Sequence, residues 1–301
     1  MSSAASSRLL LIGVIILNFF SSHDTIELFR SIVKLKDSSL AVIIVDNSCD
    51  RAEKEQLMKA IPAEMVFFTP KNLGYAGGNN FGMNILLKND AITAIALLNP
   101  DVRIVGNTFE KLNCHLQKDD SVAAVGPRLC LRDNVDVIYS DGGFLDTKSF
   151  FAPRHLNFGI SKHSITDTAL SEVDYVNGSF IIMNASVLRS LGNFIDKFFL
   201  YFEETEWCYR AKKMGWKVLV DTSCTVYQSM SNHGMLYEYY ITRNRILFNW
   251  MYNRKYLPQL VTKEIKDALY ILVKGKDQGF LFRIKYFYTK TKAVCMGAFR
   301  L

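Results

Sequence analysis

Three carboxylates fall within four residues, Glu203, Glu204 and Glu206, in the run Phe198-Phe-Leu-Tyr-Phe-Glu-Glu-Thr-Glu-Trp-Cys-Tyr-Arg210. They end an aromatic stretch of the kind that enters a core. Burial and mutual repulsion there raise proton affinity, so one of them can serve as a general base at the lip of a pocket. The same residues also suit a helix start, where acidic side chains complement the helix dipole. Glu206 with Arg210 four residues on then has the spacing of a surface ion pair.

Further residues able to do chemistry close apolar runs. Asp46 follows Val42-Ile-Ile-Val45, where a carboxylate can accept hydrogen bonds from the ribose or base of a nucleotide, or else cap the next helix. Asn72 to Gly82 holds four glycines and three asparagines in eleven residues. Gly74, Gly77 and Gly78 permit close backbone approach to a ligand, and Asn79 and Asn80 supply amides at a helix entrance. The segment has neither G-x-G-x-x-G nor G-K-[ST], which disfavours hydride transfer. Asp101, in Asn99-Pro-Asp101, offers a divalent cation a hard oxygen ligand facing a cleft, although such a tripeptide alone is also an ordinary turn.

These residues need a frame, and the apolar pattern supplies one. Strands are expected at Leu9 to Leu17, Leu40 to Val45, Met65 to Phe68 and Ile92 to Leu98. Helices are expected at Thr25 to Lys34, at Arg51 to Ala60, and after the glycine-rich turn to about Leu87. This alternation predicts an α/β fold with a doubly wound, mainly parallel sheet flanked by helices, whose ligands bind at the carboxyl ends of strands. Leu9 to Leu17 is too short to span a bilayer, lacks the flanks of a secretory leader, and reads as a buried strand. From Leu236 the chain turns aromatic and basic, so a boundary is expected between residues 1–235 and a helical C-terminal region, 236–301.

With 301 residues, 49% hydrophobic and 22% charged, the chain can bury a substantial core and is not a disordered protein. Cys49, Cys114, Cys130, Cys208, Cys224 and Cys295 have no metal-type spacing and read as scattered buried thiols of a reducing, cytoplasmic compartment. His23, His115, His155 and His163 lack a ligand partner at metal spacing and read as surface or loop residues. The net charge of +7 concentrates after Val261, where nine basic residues face three acidic ones. Because the α/β part does not share that charge, nucleic acid is not the expected partner. Apolar residues interleave with the charges in Gly279 to Tyr288, which fits either a segment lying on an anionic membrane or a packed appendage with a solvated basic side.

Over roughly residues 9 to 245 the sequence resembles the family 2 glycosyltransferases, especially their rhamnosyltransferase-like branch with the GT-A fold. The likeness rests on several segments in the family's order: Ile15-Ile-Leu-Asn18 with Asp24-Thr-Ile-Glu27, Val45-Asp-Asn-Ser48, Asn72 to Gly82, Leu97-Leu-Asn-Pro-Asp101, Gly178 with Gly192-Asn-Phe-Ile-Asp196, and Phe199 to Arg210. It implies a GT-A domain over 1–235. Asn18, Asp46, Asn72, Gly74, Tyr75, Gly78, Asn79 and Asn99 would bind a nucleotide-sugar, and Asp101 would hold Mg²⁺ or Mn²⁺. The base would lie in the pair Glu203 and Glu204, with Gly178, Glu206 and Arg210 on the acceptor side.

The implied activity is inverting transfer of a sugar, dTDP-rhamnose being one donor, to a glycan or lipid-linked glycan in cell-surface polysaccharide synthesis. The enzyme would be cytoplasmic, peripheral at the inner membrane face. The sequence departs from the family pattern in three places. Glu203-Glu204 stands for Glu-Asp, which makes Glu204 the base. Gln228 stands for a frequent histidine, with His233 five residues on. Phe20 replaces a polar residue near the nucleotide. These departures keep open an alternative, a non-catalytic nucleotide-sugar or glycan-binding protein on a decayed scaffold.

Overall fold

The computed structural model describes residues 11–165, 169–230, 234–275 and 279–299. In its first half, apolar runs become strands and amphipathic stretches become helices. They are β1 (Leu11–Asn18), α1 (Ser22–Val33), β2 (Leu40–Asp46), α2 (Arg51–Ala60), β3 (Val66–Phe68), α3 (Gly74–Leu86), β4 (Ile92–Leu98), α4 (Thr108–Lys118) and β5 (Val122–Leu131). Then follow β6 (Ile138–Ser140), β7 (Gly143–Asp146), β8 (Ala152–His155), β9 (Leu170–Glu172), β10 (Phe180–Asn184), α5 (Ala185–Leu191), α6 (Glu203–Lys213) and β11 (Lys217–Gln228). Helices α7 (Met235–Tyr252), α8 (Leu257–Lys274) and α9 (Phe280–Phe299) complete the chain.

The main sheet has the order β3-β2-β1-β4-β10-β5-β11-β9, with β6 added on β5. Strands β3, β2, β1 and β4 run parallel, as the βαβ alternation requires. Strand β10 enters antiparallel between β4 and β5, so the sheet is mixed. Strands β7 and β8 form a separate hairpin.

Both sheet faces are covered. Leu28, Leu57, Phe109 and Leu112 bring α1, α2 and α4 onto one face, and Met83, Leu188 and Trp207 bring α3, α5 and α6 onto the other. Asp50 starts α2 by accepting from the backbone N–H of Ala52 (2.8 Å) and Glu53 (3.0 Å). The glycine-rich segment is not a turn leading to a helix but the first turns of α3 itself. A Cβ at Gly82 would lie 2.9 Å from Ile15 Cδ1, and one at Gly78 2.6 Å from Leu17 Cδ1. Glycine thus lets the helix axis approach β1 more closely than any side chain would allow.

Helices α7, α8 and α9 pack around Ile246, Leu260 and Val294 and share a buried ionic cluster. Glu264 of α8 meets Arg245 of α7 and Lys290 of α9 (2.7 Å to Lys290), and Lys290 also donates to Thr242 (2.6 Å). Burial lowers the proton affinity of the Lys290 ammonium, and the nearby Glu238 carboxylate opposes that shift. The thiols are less uniform than expected: Cys130, Cys208 and Cys224 are buried, whereas Cys49 and Cys295 are exposed.

Candidate active site

The carboxyl ends of β1, β2 and β4 and the start of α3 border a cavity of about 410 Å³. Phe19, Asn47, Asn72, Gly74, Tyr75 and Asn99 line it, with Phe199 and Tyr240 closing the far wall. Asn47 organises this corner. Its Nδ2 donates to Asn72 Oδ1 (3.1 Å) and Gly74 O (3.0 Å), and its Oδ1 accepts from Leu73 N and Thr69 Oγ1 (both 2.9 Å). Gly74 has φ +72°, and a Cβ there would fall 2.3 Å from the Phe199 carbonyl oxygen. Only glycine takes that conformation so close to a neighbouring backbone.

Asn18 and Asp46 lie just beneath this cavity rather than on its wall. Asn18 Nδ2 donates to Asp46 Oδ1 (3.0 Å) and Glu53 Oε2 (2.9 Å), and Asp46 also accepts from Ser48 N (3.1 Å). Both residues are fully buried, fixing the strand ends to which Asn47 and Phe19 belong. Asn79 is buried on α3, its Nδ2 donating to Tyr75 O (3.0 Å). Phe20 is exposed with φ +52°, beside Phe19.

A second cavity of about 400 Å³ shares Tyr75, Asn99 and Leu200 with the first and is bordered by Glu203 and Glu204. Its remaining walls are aromatic, with Tyr139, Tyr175, Tyr201 and Tyr237 among them. His155 also lines it, bonded to Ser140 Oγ (3.2 Å), and so is not the ordinary surface or loop residue expected. Gly178 faces this pair: a Cβ there would lie 3.5 Å from Glu204 Cδ, and Tyr75 OH donates to Gly178 O (2.6 Å). Burial first, then the Glu203 and Glu204 charges, hold the Tyr75 phenol well above its ordinary value, so it remains a donor.

The two carboxylates differ in surroundings. Burial and then the Glu204 charge raise Glu203 well above the carboxylate range, and burial also raises Glu204, offset by hydrogen bonds from Glu203 and Thr205. Glu203 Oε2 has no partner among the described residues. The larger rise falls on Glu203, because the Glu204 charge adds to burial there, so Glu203 is the member of the pair that more readily keeps a proton.

The turn ahead of α6 is strained. Phe199, Tyr201 and Phe202 have φ of +62°, +65° and +75°, sparsely populated conformations for bulky residues. Asn244, fully buried on α7, holds the turn: its Nδ2 donates to the carbonyls of Phe198 (2.8 Å), Leu200 (2.8 Å) and Tyr201 (2.7 Å). Sequence reading does not single out Asn244, because the contact spans more than forty residues and no local pattern marks it.

Glu206 and Arg210, expected on the acceptor side, are turned away from both cavities. Arg210 donates to Glu206 through Nε (2.9 Å) and Nη2 (3.1 Å), and to Leu191 O and Asn193 O. Glu206 also accepts from Tyr252 OH. The hydrogen bonds of the pair tie α6 to its neighbours, and Glu206 is fully buried rather than at the surface.

Asp101 stands just past β4 and lines neither cavity, but its Oδ2 accepts from Ser229 N (3.1 Å) just past β11. Burial raises its proton affinity, and the Ser229 hydrogen bond opposes that shift. Beside Ser229, buried Gln228 has a side-chain oxygen, Oε1, without a partner among the described residues. His233 lies outside the described residues. One hard carboxylate beside the end of β11, where Gln228 Oε1 is also unpartnered, fits a divalent ion that draws its other ligands from a diphosphate. Among the described residues, His23, Asp24 and Glu27 also come within ligand distance of one another, but Arg103 already pairs with Asp24 and Glu27.

No family model matches the chain. By sequence it is 26% identical over 206 residues to the low-salt glycan biosynthesis hexosyltransferase Agl10 of Haloferax volcanii, covering 67% of this chain and 62% of that protein. The chain thus spans less than two thirds of that relative's length. It is 21% identical over 254 residues to the dTDP-rhamnosyl transferase RfbF of Shigella flexneri, covering 80% of each. By structure it is similar to GalNAc-T7, solved with UDP, GalNAc and Mn²⁺, with TM-score 0.62, 16% identity, 95% of this chain and 55% of that one. It is also similar to the mannosyltransferase PcManGT of Pyrobaculum calidifontis, solved with GDP-Man and Mn²⁺, with TM-score 0.53, 14% identity, 96% of this chain and 76% of that one. The chain resembles glycosyltransferases in both sequence and architecture, and its fold is the GT-A fold.

Proposed function

We propose that this chain is an inverting, metal-assisted glycosyltransferase. The observation that carries the reading is a pair of cavities meeting at Tyr75, Asn99 and Leu200, one built on the glycine-rich start of α3 and the other bordered by the adjacent carboxylates Glu203 and Glu204. The nucleotide would occupy the first cavity between Phe19 and Asn47, and its sugar would extend toward Glu204. Glu204 takes the proton of the acceptor hydroxyl as that oxygen attacks the anomeric carbon. The bond from that carbon to the diphosphate breaks, its electron pair leaves on the diphosphate, and the configuration inverts. Such a base is worth roughly 10² to 10⁴ in rate. Glu203, holding its proton, leaves Glu204 as the anion. Asp101 would hold Mg²⁺ or Mn²⁺, which would supply charge neutralisation for the departing diphosphate.

The named relatives support a hexose or rhamnose donor such as dTDP-rhamnose, and the aromatic second cavity suits a glycan or lipid-linked glycan acceptor in cell-surface polysaccharide synthesis. The enzyme would work in the cytoplasm, peripheral to the inner membrane face. The test is nucleoside diphosphate release from a panel of nucleotide sugars with Mg²⁺ or Mn²⁺. Glu204→Gln is expected to keep donor affinity and lose at least about a hundredfold in turnover. Normal turnover in that variant sinks the assignment. A non-catalytic sugar-nucleotide binder is the second reading, favoured by Asp101 lining neither cavity, and it would bind donor without releasing diphosphate in any pairing.

A further inference from the structure

The three C-terminal helices bury one another's faces but leave a corner uncovered. Where α8 gives way to α9, Tyr270, Val273, Phe280, Leu281, Ile284 and Tyr288 all face water. Val273, Phe280 and Leu281 are 67%, 65% and 74% exposed. The corner is held together by Arg283 of α9, whose Nη1 donates to Leu272 O of α8 (3.1 Å). Scattered exposed apolar residues need no explanation, whereas a cluster on one corner marks an interaction surface.

Charge narrows the partner. Lys266, Lys274, Lys285 and Lys292 are exposed on the same two helices. The acidic residues of α8 do not offset them: Glu264 is buried against Arg245 and Lys290, and Asp267 is paired with Lys263. Among the described residues no helix is long and apolar enough to cross a membrane. Apolar tips set among lysines suit the boundary between headgroups and acyl chains, where the rings and aliphatic ends insert and the ammonium groups meet lipid phosphates.

We propose that the α8–α9 corner is a docking surface for the anionic face of a phospholipid bilayer. This deepens the proposed function, resting on it for the reason a lipid surface is needed, but it is read out by binding rather than turnover. The ionic cluster of Glu264, Lys290, Arg245 and Thr242 joins this corner to α7, whose Tyr237 and Tyr240 wall the two cavities. Docking there would set the height of the cavities above the lipid surface.

The experiment is vesicle co-sedimentation of the full chain with phosphatidylcholine alone and with added phosphatidylglycerol, at low salt and at about 0.5 M salt, where charge attraction is screened. The variants are the doubles Phe280→Glu with Leu281→Glu, and Lys274→Glu with Lys285→Glu. All four positions are exposed, and an unchanged melting temperature verifies the fold. Wild type is expected to bind the anionic vesicles, to release them in salt and to ignore phosphatidylcholine, and each double variant is expected to partition at least about tenfold less. No binding to anionic vesicles at low salt, or equal binding by wild type and variants, overturns the proposal. So does light scattering that shows a dimer converted to monomer by the apolar double variant, which would assign the surface to a second copy. Glu204→Gln should bind vesicles like wild type, so failure of docking and failure of the transfer reading can be told apart.

Discussion

Glu203 and Glu204 are neighbours with unequal surroundings, and each makes a distinct expectation. The proposed mechanism needs Glu204 ionised, and burial raises its proton affinity, so the acid limb of the kcat–pH profile should lie above that of an ordinary glutamate. A limb at the ordinary carboxylate position would remove Glu204 as the base. Glu203 bears on stability. Its folded-state pKa exceeds the unfolded value, so the stability it contributes is complete below the unfolded pKa and lost as pH rises through the folded one. Glu203→Gln should therefore raise the neutral-pH melting temperature by on the order of 2 °C and have little effect below the unfolded pKa. A neutral-pH scan showing no gain would mean that Glu203 ionises without penalty. The carboxylate cluster was legible in the sequence, but its division of labour was not. Spacing alone allowed Glu206 to face either the acceptor or Arg210, and the deciding partner, Tyr252, lies 46 residues away.

Elements bounded by strong local signals were legible almost to the residue: α2 has Asp50 as its cap, and β4 is an apolar run broken only by Thr93. Where tertiary contact overrides local preference, legibility fails. The segment from Gly74 reads as a turn because glycine is a poor helix former, yet it is helical because β1 leaves no room for a Cβ. Strands β6 to β9 are three or four residues long and carry too little pattern to detect. The turn before α6 is of the same kind, since Asn244 specifies it from another element. Asn244→Asp should be more damaging than Asn244→Ala: the amide donor becomes a carboxylate set against three carbonyls, costing about 2–3 kcal/mol or more. Urea unfolding together with turnover checks this. Equal stability and turnover for wild type and Asn244→Asp would mean that the turn holds itself.

At the scale of the whole molecule, the candidate site crosses the boundary expected at residue 236, because α7 walls both cavities with Leu236, Tyr237, Tyr240 and Ile241. The site also joins the ends of distant strands. Asp101 and Ser229, 128 residues apart, meet where β4 and β11 finish. Asp101→Ala should therefore remove the stimulation of donor binding by Mg²⁺ or Mn²⁺ while the sheet stays folded. Donor calorimetry with and without the ion measures it, and metal-stimulated affinity retained by the variant would exclude Asp101 as the ligand. The reach of Asn244 has a consequence for how the protein is made. The carbonyls it holds precede it by 43 to 46 residues, so a nascent chain can complete every described strand of the sheet while the turn before α6 still lacks the clamp. A chain released before α7 would keep the hydrogen bonds around Asn47 and leave the turn ahead of Glu203 and Glu204 unclamped. Assembly of that turn thus waits on α7, well after the residues of the turn itself have been made.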